Sequence, residues 1–329
     1  MAARFSYNKI LTAVFVAAVI LFGGLTVFSA EYSTSNFVIR DAPTPELAKL
    51  FGDTAERCRA ELSQLWLGKQ LPDWSAPCPI SINVGAHLGA GGQTSFVPTG
   101  SEVYGWDMRI QGSVERIVDS VLPHEITHMI LASHFCRPLP RWLDEGAATS
   151  VEHVSEQQKY RKMLLNYLDP SVGKALPFNK MVTMKSYPSD PLPLYSQGHA
   201  VVELLLTLGG HRHFVNFVER GMENGNWSNA VHEFYGYENL GELQTAWIQW
   251  MQDGSTNNMA TYQRTSVREN NTATTLPPQQ PLQLATPMPS YAAKTVVLPG
   301  PAVDDKLPTK EVNRNEPQIL LEWSLPVRR

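Results

Sequence analysis

The chain is expected to adopt an α+β fold, with a small mixed sheet packed over helices and a mostly helical C-terminal subdomain. Three observations carry that reading. Between residues 79 and 110 apolar residues alternate with others in short runs, the period of half-buried strands. At 47–66 and again at 114–122 apolar residues recur at threes and fours, the period of helices with one buried face. Beyond residue 195 helical spacing dominates, and the runs are closed by glycines.

Taken in order, Arg4 and Lys9 precede an uncharged, largely apolar stretch at 10–28, which reads as an export signal. That stretch is long enough to span a bilayer as one transmembrane helix. Cleavage after Ser29 or Ala30 would put Val27 or Phe28 where a small residue is wanted. Segment 1–30 is therefore read as a signal anchor that tethers the rest of the chain to the membrane outside the cytoplasm, the alternative being a cleaved signal and a secreted or periplasmic protein. A short strand is expected at 37–40. Thr44-Pro45-Glu46 opens a helix with a capping hydroxyl and Pro at its first position, and Leu47, Leu50, Phe51, Ala55, Cys58, Leu62, Leu65 and Trp66 give that helix its apolar face up to Gly68. Strands follow at 79–84, 93–97 and 103–110. The glycine-rich stretch 85–92 lacks the Lys-Ser/Thr ending of a phosphate-binding loop and reads as a flexible connection where backbone approaches backbone, with His87 solvated. Val114, Ile117, Val118, Val121 and Leu122 predict another helix, which Pro123 either kinks or restarts.

The chemistry lies next along the chain. His124-Glu125-Ile126-Thr127-His128 sets two imidazoles four positions apart, and a helix turning about 100° per residue presents both on one face. Two His with a Glu between them suit a zinc ion that polarises a carbonyl and acidifies a water whose proton the Glu takes. A catalytic zinc needs a third protein ligand and one open position. Pro140-Arg141-Trp142-Leu143-Asp144-Glu145-Gly146, the start of a second helix, offers a carboxylate. These two motifs resemble those of the gluzincin metallopeptidases, more narrowly the peptidase MA-like group, over about residues 36 to 252. The resemblance implies a zincin-like fold, one zinc ion (Zn2+) held by His124, His128 and Glu145, and Glu125 as general base. It also implies a Tyr or His beyond the Glu ligand that shares the charge of the oxyanion, for which Tyr195 and His199 are the candidates. A zincin would use the strands as a sheet whose edge pairs with an extended substrate. Asp144 competes with Glu145 for the metal but points about 100° away. His134 occupies the third-ligand position of the metzincins, yet Leu131 stands where that family turns the chain with Gly. A helix continuing through Leu131 carries His134 about 240° round from His128.

Beyond the motifs, Tyr195 to Gly210 reads as a helix entered through the Pro-rich stretch 188–193 and closed by Gly209 and Gly210. His211, His213 and His232 read as solvated. Trp227, Val231, Phe234, Tyr235, Leu240, Leu243, Trp247 and Trp250 predict terminal helices packed on the core. The domain is thus placed at 36–252. The remainder, 253–329, holds ten of the chain's 24 Pro among Thr, Gln and Asn, the makeup of a solvated, disordered tail, within which 318–323 could dock on the core or on a partner. Cys58 and Cys78 could form a disulfide in an oxidising compartment, the alternative being three buried thiols with Cys136. A net charge of −4 favours neither nucleic acid nor an anionic surface.

The partners expected are zinc and a peptide or protein substrate. The function expected is zinc-dependent peptide hydrolysis outside the cytoplasm. The alternative is a non-catalytic zinc- or peptide-binding module of the cell envelope, against which the retention of Glu125 argues, since the fold depends on ligands and not on the base. A third reading is an interaction protein whose business lies in the tail.

Overall fold

The computed structural model describes residues 29–184, 186–255, 259–264 and 319–324. The fold is α+β. Its sheet has the order β1-β2-β3-β5-β4-β6, with β1 (Ala30–Ser33), β2 (Phe37–Ala42), β3 (Cys78–Val84), β4 (Gly91–Pro98), β5 (Val103–Gly112) and β6 (Ile319–Ser324). Strands β2, β3 and β5 run parallel, Ile39 lying opposite Ile80 and Ile80 opposite Met108. The other pairings are antiparallel.

Parallel neighbours need a crossover, and α1 (Pro45–Leu67) supplies the one between β2 and β3. The Thr44 side chain accepts from the Leu47 N–H, Pro45 fills the first turn, and Gly68 closes the helix at φ 66°. The buried face of α1, including Phe51, Ala55, Cys58, Leu62 and Trp66, forms one core with Phe37 and Ile39 of β2, Ile80 and Ile82 of β3, and Met108 and Ile110 of β5.

The chain then enters α2 (Leu122–Phe135), which packs on α1, β4 and β5. A single turn, Val114–Arg116, leads into a π-helical stretch, Ile117–Val121, where the Leu122 N–H reaches back to the Ile117 carbonyl. A wider turn absorbs a missing donor, so Pro123 sits in the first turn of α2 without breaking it. Helix α2 runs through Leu131 to Phe135, as the helix-compatible residues after His128 predict.

The second half is helical: α3 (Arg141–Thr149), α4 (Val154–Tyr167), α5 (Leu192–Asn224), α6 (Trp227–Tyr235) and α7 (Leu240–Gln252). Helices α3 and α5 cross at two glycines. A Cβ on Gly146 would lie 2.5 Å from the Gly198 carbonyl oxygen, and one on Gly198 would strike the Trp142 carbonyl. This backbone contact fixes how far α3, and with it Glu145, stands from the core. Helix α5 breaks at Gly210 (φ 72°, ψ 174°), where the glycines predict a closure, but helix resumes directly afterwards.

Several expectations are corrected. Among the described residues no helix is long and apolar enough to cross a membrane, which removes the expected membrane-spanning helix from this part of the chain. The stretch 10–28 on which that expectation rested lies outside the described residues. The sheet begins at Ala30, within the segment assigned to the signal, because β1 is too short to show a period. Most of 265–329 also lies outside the described residues, and 319–324 pairs with β4 as a strand of the sheet, the docking on the core that the sequence left open for 318–323. Of the two readings left open for the cysteines, Cys58 and Cys78 are buried free thiols, while Cys136 is only partly buried. His211 packs edge-on against Trp66 at 4.7 Å, and burial pushes its imidazole down to about 4. His213 Nε2 donates to the Phe234 carbonyl at 2.8 Å, so neither histidine is solvated. His87 and His232 are exposed, as expected.

Because the α3–α5 crossing leaves no room for a methyl group, Gly198→Ala is expected to cost about 1–3 kcal/mol of stability. The measurement is a urea titration, in which the midpoint should fall while the slope stays constant.

Candidate metal centre

Helix α2 presents His124 and His128 on one face, their rings 4.8 Å apart and edge to face. Helix α3 brings Glu145 opposite them. Its Oε2 lies 3.5 Å from His124 Nε2 and 3.8 Å from His128 Nε2, and all three residues are buried. The three ligand atoms lie within 4.8 Å of one another. His128 Nε2 is a buried polar atom without a hydrogen-bond partner among the described residues. Buried polar atoms are ordinarily satisfied, and a cation among the three ligand atoms would satisfy it. The cluster can hold a metal ion.

Each of these side chains is also anchored on its outer side. His124 Nδ1 donates to Glu152 Oε1 at 2.8 Å, and His128 Nδ1 donates to Asp144 Oδ1 at 2.8 Å. A proton fixed on Nδ1 leaves the Nε2 lone pair facing inward, the tautomer a metal requires. The Tyr187 hydroxyl donates to Glu145 Oε1, leaving Oε2 for the centre. Asp144, the neighbour that competes with Glu145 in the sequence, is outside the cluster and orients His128. Adjacent positions on a helix diverge by about 100°, which lets one residue face the centre and the next the back of His128.

The electrostatics fit a positive centre. Burial pushes the His124 imidazole down, but hydrogen bonds to Glu145 and Glu152 outweigh it and carry the group up to about 10. Burial likewise works against His128, and the Asp144 carboxylate beside it raises it. Burial would raise Glu145, yet the His124 hydrogen bond and the His128 charge hold it below the usual range. Protons or a metal ion supply the charge this cluster attracts, and metal binding displaces the protons.

Glu125 has a different setting. Burial pushes its carboxyl above the usual range, partly offset by His128, His124 and the Thr94 hydroxyl. Thr94 Oγ1 donates to Glu125 Oε2 at 2.5 Å. Two residues earlier on the same face of β4, a Cβ on Gly92 would collide with Glu125 Oε1. Strand β4 thus holds the carboxylate between a hydroxyl and bare backbone, and only glycine fits at position 92.

The remaining sequence candidates separate. Tyr195 lies edge to face with Tyr187, ring centres 5.9 Å apart. Burial and the Glu145 charge push its phenol up, so it stays a donor. His199, one turn further along α5, is buried with Nε2 4.0 Å from Glu203 Oε2. Burial and then Arg161 push it down to about 3, so it is neutral in surroundings set by Arg161 and Glu203 rather than by the cluster. His134 packs against Phe135 near the far end of α2, outside the cluster. The residues that sequence reasoning missed are Glu152, Thr94 and Tyr187. None stands at a fixed spacing from the motifs, and Tyr187 lies in the Pro-rich approach to α5, with Arg141 stacked 4.6 Å over its ring.

Since a histidine held by a carboxylate is the stronger ligand, Glu152→Gln is expected to lower metal affinity by about tenfold. His134→Ala should leave it unchanged. Competition with a chelator, with folding followed by circular dichroism, measures both.

No family model matches the chain, and no curated protein matches it. Among solved structures it is similar to the crystal structure of a functionally unknown conserved protein mutant from Bacillus anthracis str. Ames, at 11% sequence identity and a TM-score of 0.29. The match covers 77% of this chain and 52% of the other, so the chain spans about half the length of that structure.

Proposed function

We propose that the protein is a zinc-dependent peptidase of zincin-like fold that hydrolyses peptide bonds outside the cytoplasm, with Glu125 as general base. The observation that carries this reading is the convergence of His124 Nε2, His128 Nε2 and Glu145 Oε2 on one buried point, with Glu125 of α2 held beside them by Thr94 of β4. Two imidazoles and one carboxylate are a donor set for catalytic zinc, and a closed structural site would take a fourth ligand. Among the described residues the cluster has three members. The location outside the cytoplasm is supported by the sequence of 1–30.

Zinc, when bound, polarises the scissile carbonyl and makes a water acidic enough to attack it. The residues of the chain do the rest. Glu125 takes the proton as the water oxygen bonds to the carbonyl carbon, then delivers it to the amide nitrogen as the C–N bond breaks. A carboxyl raised by burial suits both transfers, being a better base than a solvated Glu and able to give the proton back. The Tyr195 phenol, raised by burial, remains a donor for the developing oxyanion, while the Tyr187 hydroxyl orients Glu145. The substrate pairs in extended form with β4, whose Gly92 and Thr94 flank the base.

Purified protein is expected to hold one zinc per chain and to lose it in His128→Ala. Glu125→Gln keeps the size of the side chain, so zinc should stay while kcat/KM for peptides falls by about 10²–10⁴. Metal analysis beside a peptide-library cleavage assay measures both, and undiminished cleavage by Glu125→Gln would overturn the assignment.

The pH profile follows from the same carboxyl. Glu125 must be charged to accept a proton, so kcat/KM is lost as pH falls through its pKa, and burial places that acid limb above the usual Glu range. Thr94 stabilises the charged form by its hydrogen bond. Thr94→Val should therefore move the acid limb to higher pH, read from kcat/KM profiles of the two proteins.

A further inference from the structure

We propose that residues 319–324 are an intramolecular occupant of the substrate edge, a strand that restrains the peptidase from within by filling the backbone positions an extended peptide must take. The proposal rests on the peptidase reading above. In the sheet order β4 pairs with β5 on one side and β6 on the other. The antiparallel register runs without a break from Gly91 opposite Ser324 to Phe96 opposite Ile319. Within it, Gly92 lies opposite Trp323 and Thr94 opposite Leu321. Gly92 and Thr94 are the two β4 residues packed against Glu125. Strand β6 therefore passes β4 where the general base is held.

A strand directs its N–H and C=O groups alternately to its two sides, and each side pairs once. With β5 on one side of β4, the other is a single row of backbone donors and acceptors, and either β6 or a substrate can use it. The sequence around β6 supports a short, bounded insert. Pro317 and Pro326 flank it, and proline, having no N–H, does not extend a ladder. Because β6 belongs to the same chain, its effective concentration at the edge does not change with protein concentration. Strand β6 acts on substrate entry and leaves the metal cluster and Glu125 in place.

The test compares the zinc-loaded full chain with its Leu320→Pro/Leu321→Pro variant, in which two successive prolines remove a ladder donor whichever residue directs its N–H at β4. Three quantities are read: hydrogen exchange of the β4 amides, KM and kcat for an unstructured peptide, and the affinity of a labelled extended peptide by fluorescence anisotropy. A strand paired about four-fifths of the time leaves about one-fifth of the molecules open and raises KM about fivefold with kcat untouched. The variant is thus expected to exchange faster at β4, to show a KM about fivefold lower at equal kcat, and to regain the higher KM when a synthetic peptide of residues 317–326 is added. Unchanged exchange at β4, or faster exchange with unchanged KM, overturns the proposal. If neither protein cleaves peptides, the peptidase reading fails by itself and anisotropy decides: tighter peptide binding by the variant upholds competition for the edge, and equal binding overturns it.

Discussion

A buried charge must be paired, and that constraint organises this molecule. Two imidazoles and four carboxyl groups, those of Glu125, Asp144, Glu145 and Glu152, lie buried together. Any of them left alone would cost several kcal/mol. Each is given a partner from a different element: Thr94 from β4, Asp144 from α3, Glu152 from the segment before α4, and Tyr187 from the approach to α5. The helical half of the protein can be understood as the scaffold that delivers these partners. The crossing of Gly146 and Gly198 sets the spacing at which it does so.

What was legible in the sequence is what helix geometry makes local. The His124–His128 spacing, the Thr44 cap, the Gly68 stop and the break at Gly210 each depend on residues within a turn or two of one another, and the structure has them there. Placing Glu145 against the histidines needed a packing of two helices, which the motif resemblance implied and the spacing alone did not. Tyr195 and His199 stand four apart on one helix, so periodicity could not divide them. Arg161, far away in sequence, does so together with Glu203, one turn beyond His199 on the same helix.

What was not legible depends on long-range contact without period. Glu152 bonds to His124 across 28 positions and Thr94 to Glu125 across 31, and no rule of spacing links either pair. Strand β1 has four residues and shows no alternation long enough to read. Strand β6 sits in sequence whose composition argues for solvated chain, and composition averages over the short apolar run that pairs with the sheet. Pro123 shows the reverse case, a clear local signal whose outcome was settled by the π turn before it.

The buried cysteines bear on which metal such a centre could take. Zinc and copper bind sulfur avidly, but only as thiolate. Burial pushes the Cys58 thiol up to about 12, and burial with the nearby Asp107 and Glu125 charges pushes Cys78 well above its usual value. At neutral pH both sulfurs stay protonated and sealed from solvent. The fold thereby withholds these two sulfurs from an incoming ion, and the donors gathered at the centre are nitrogen and oxygen.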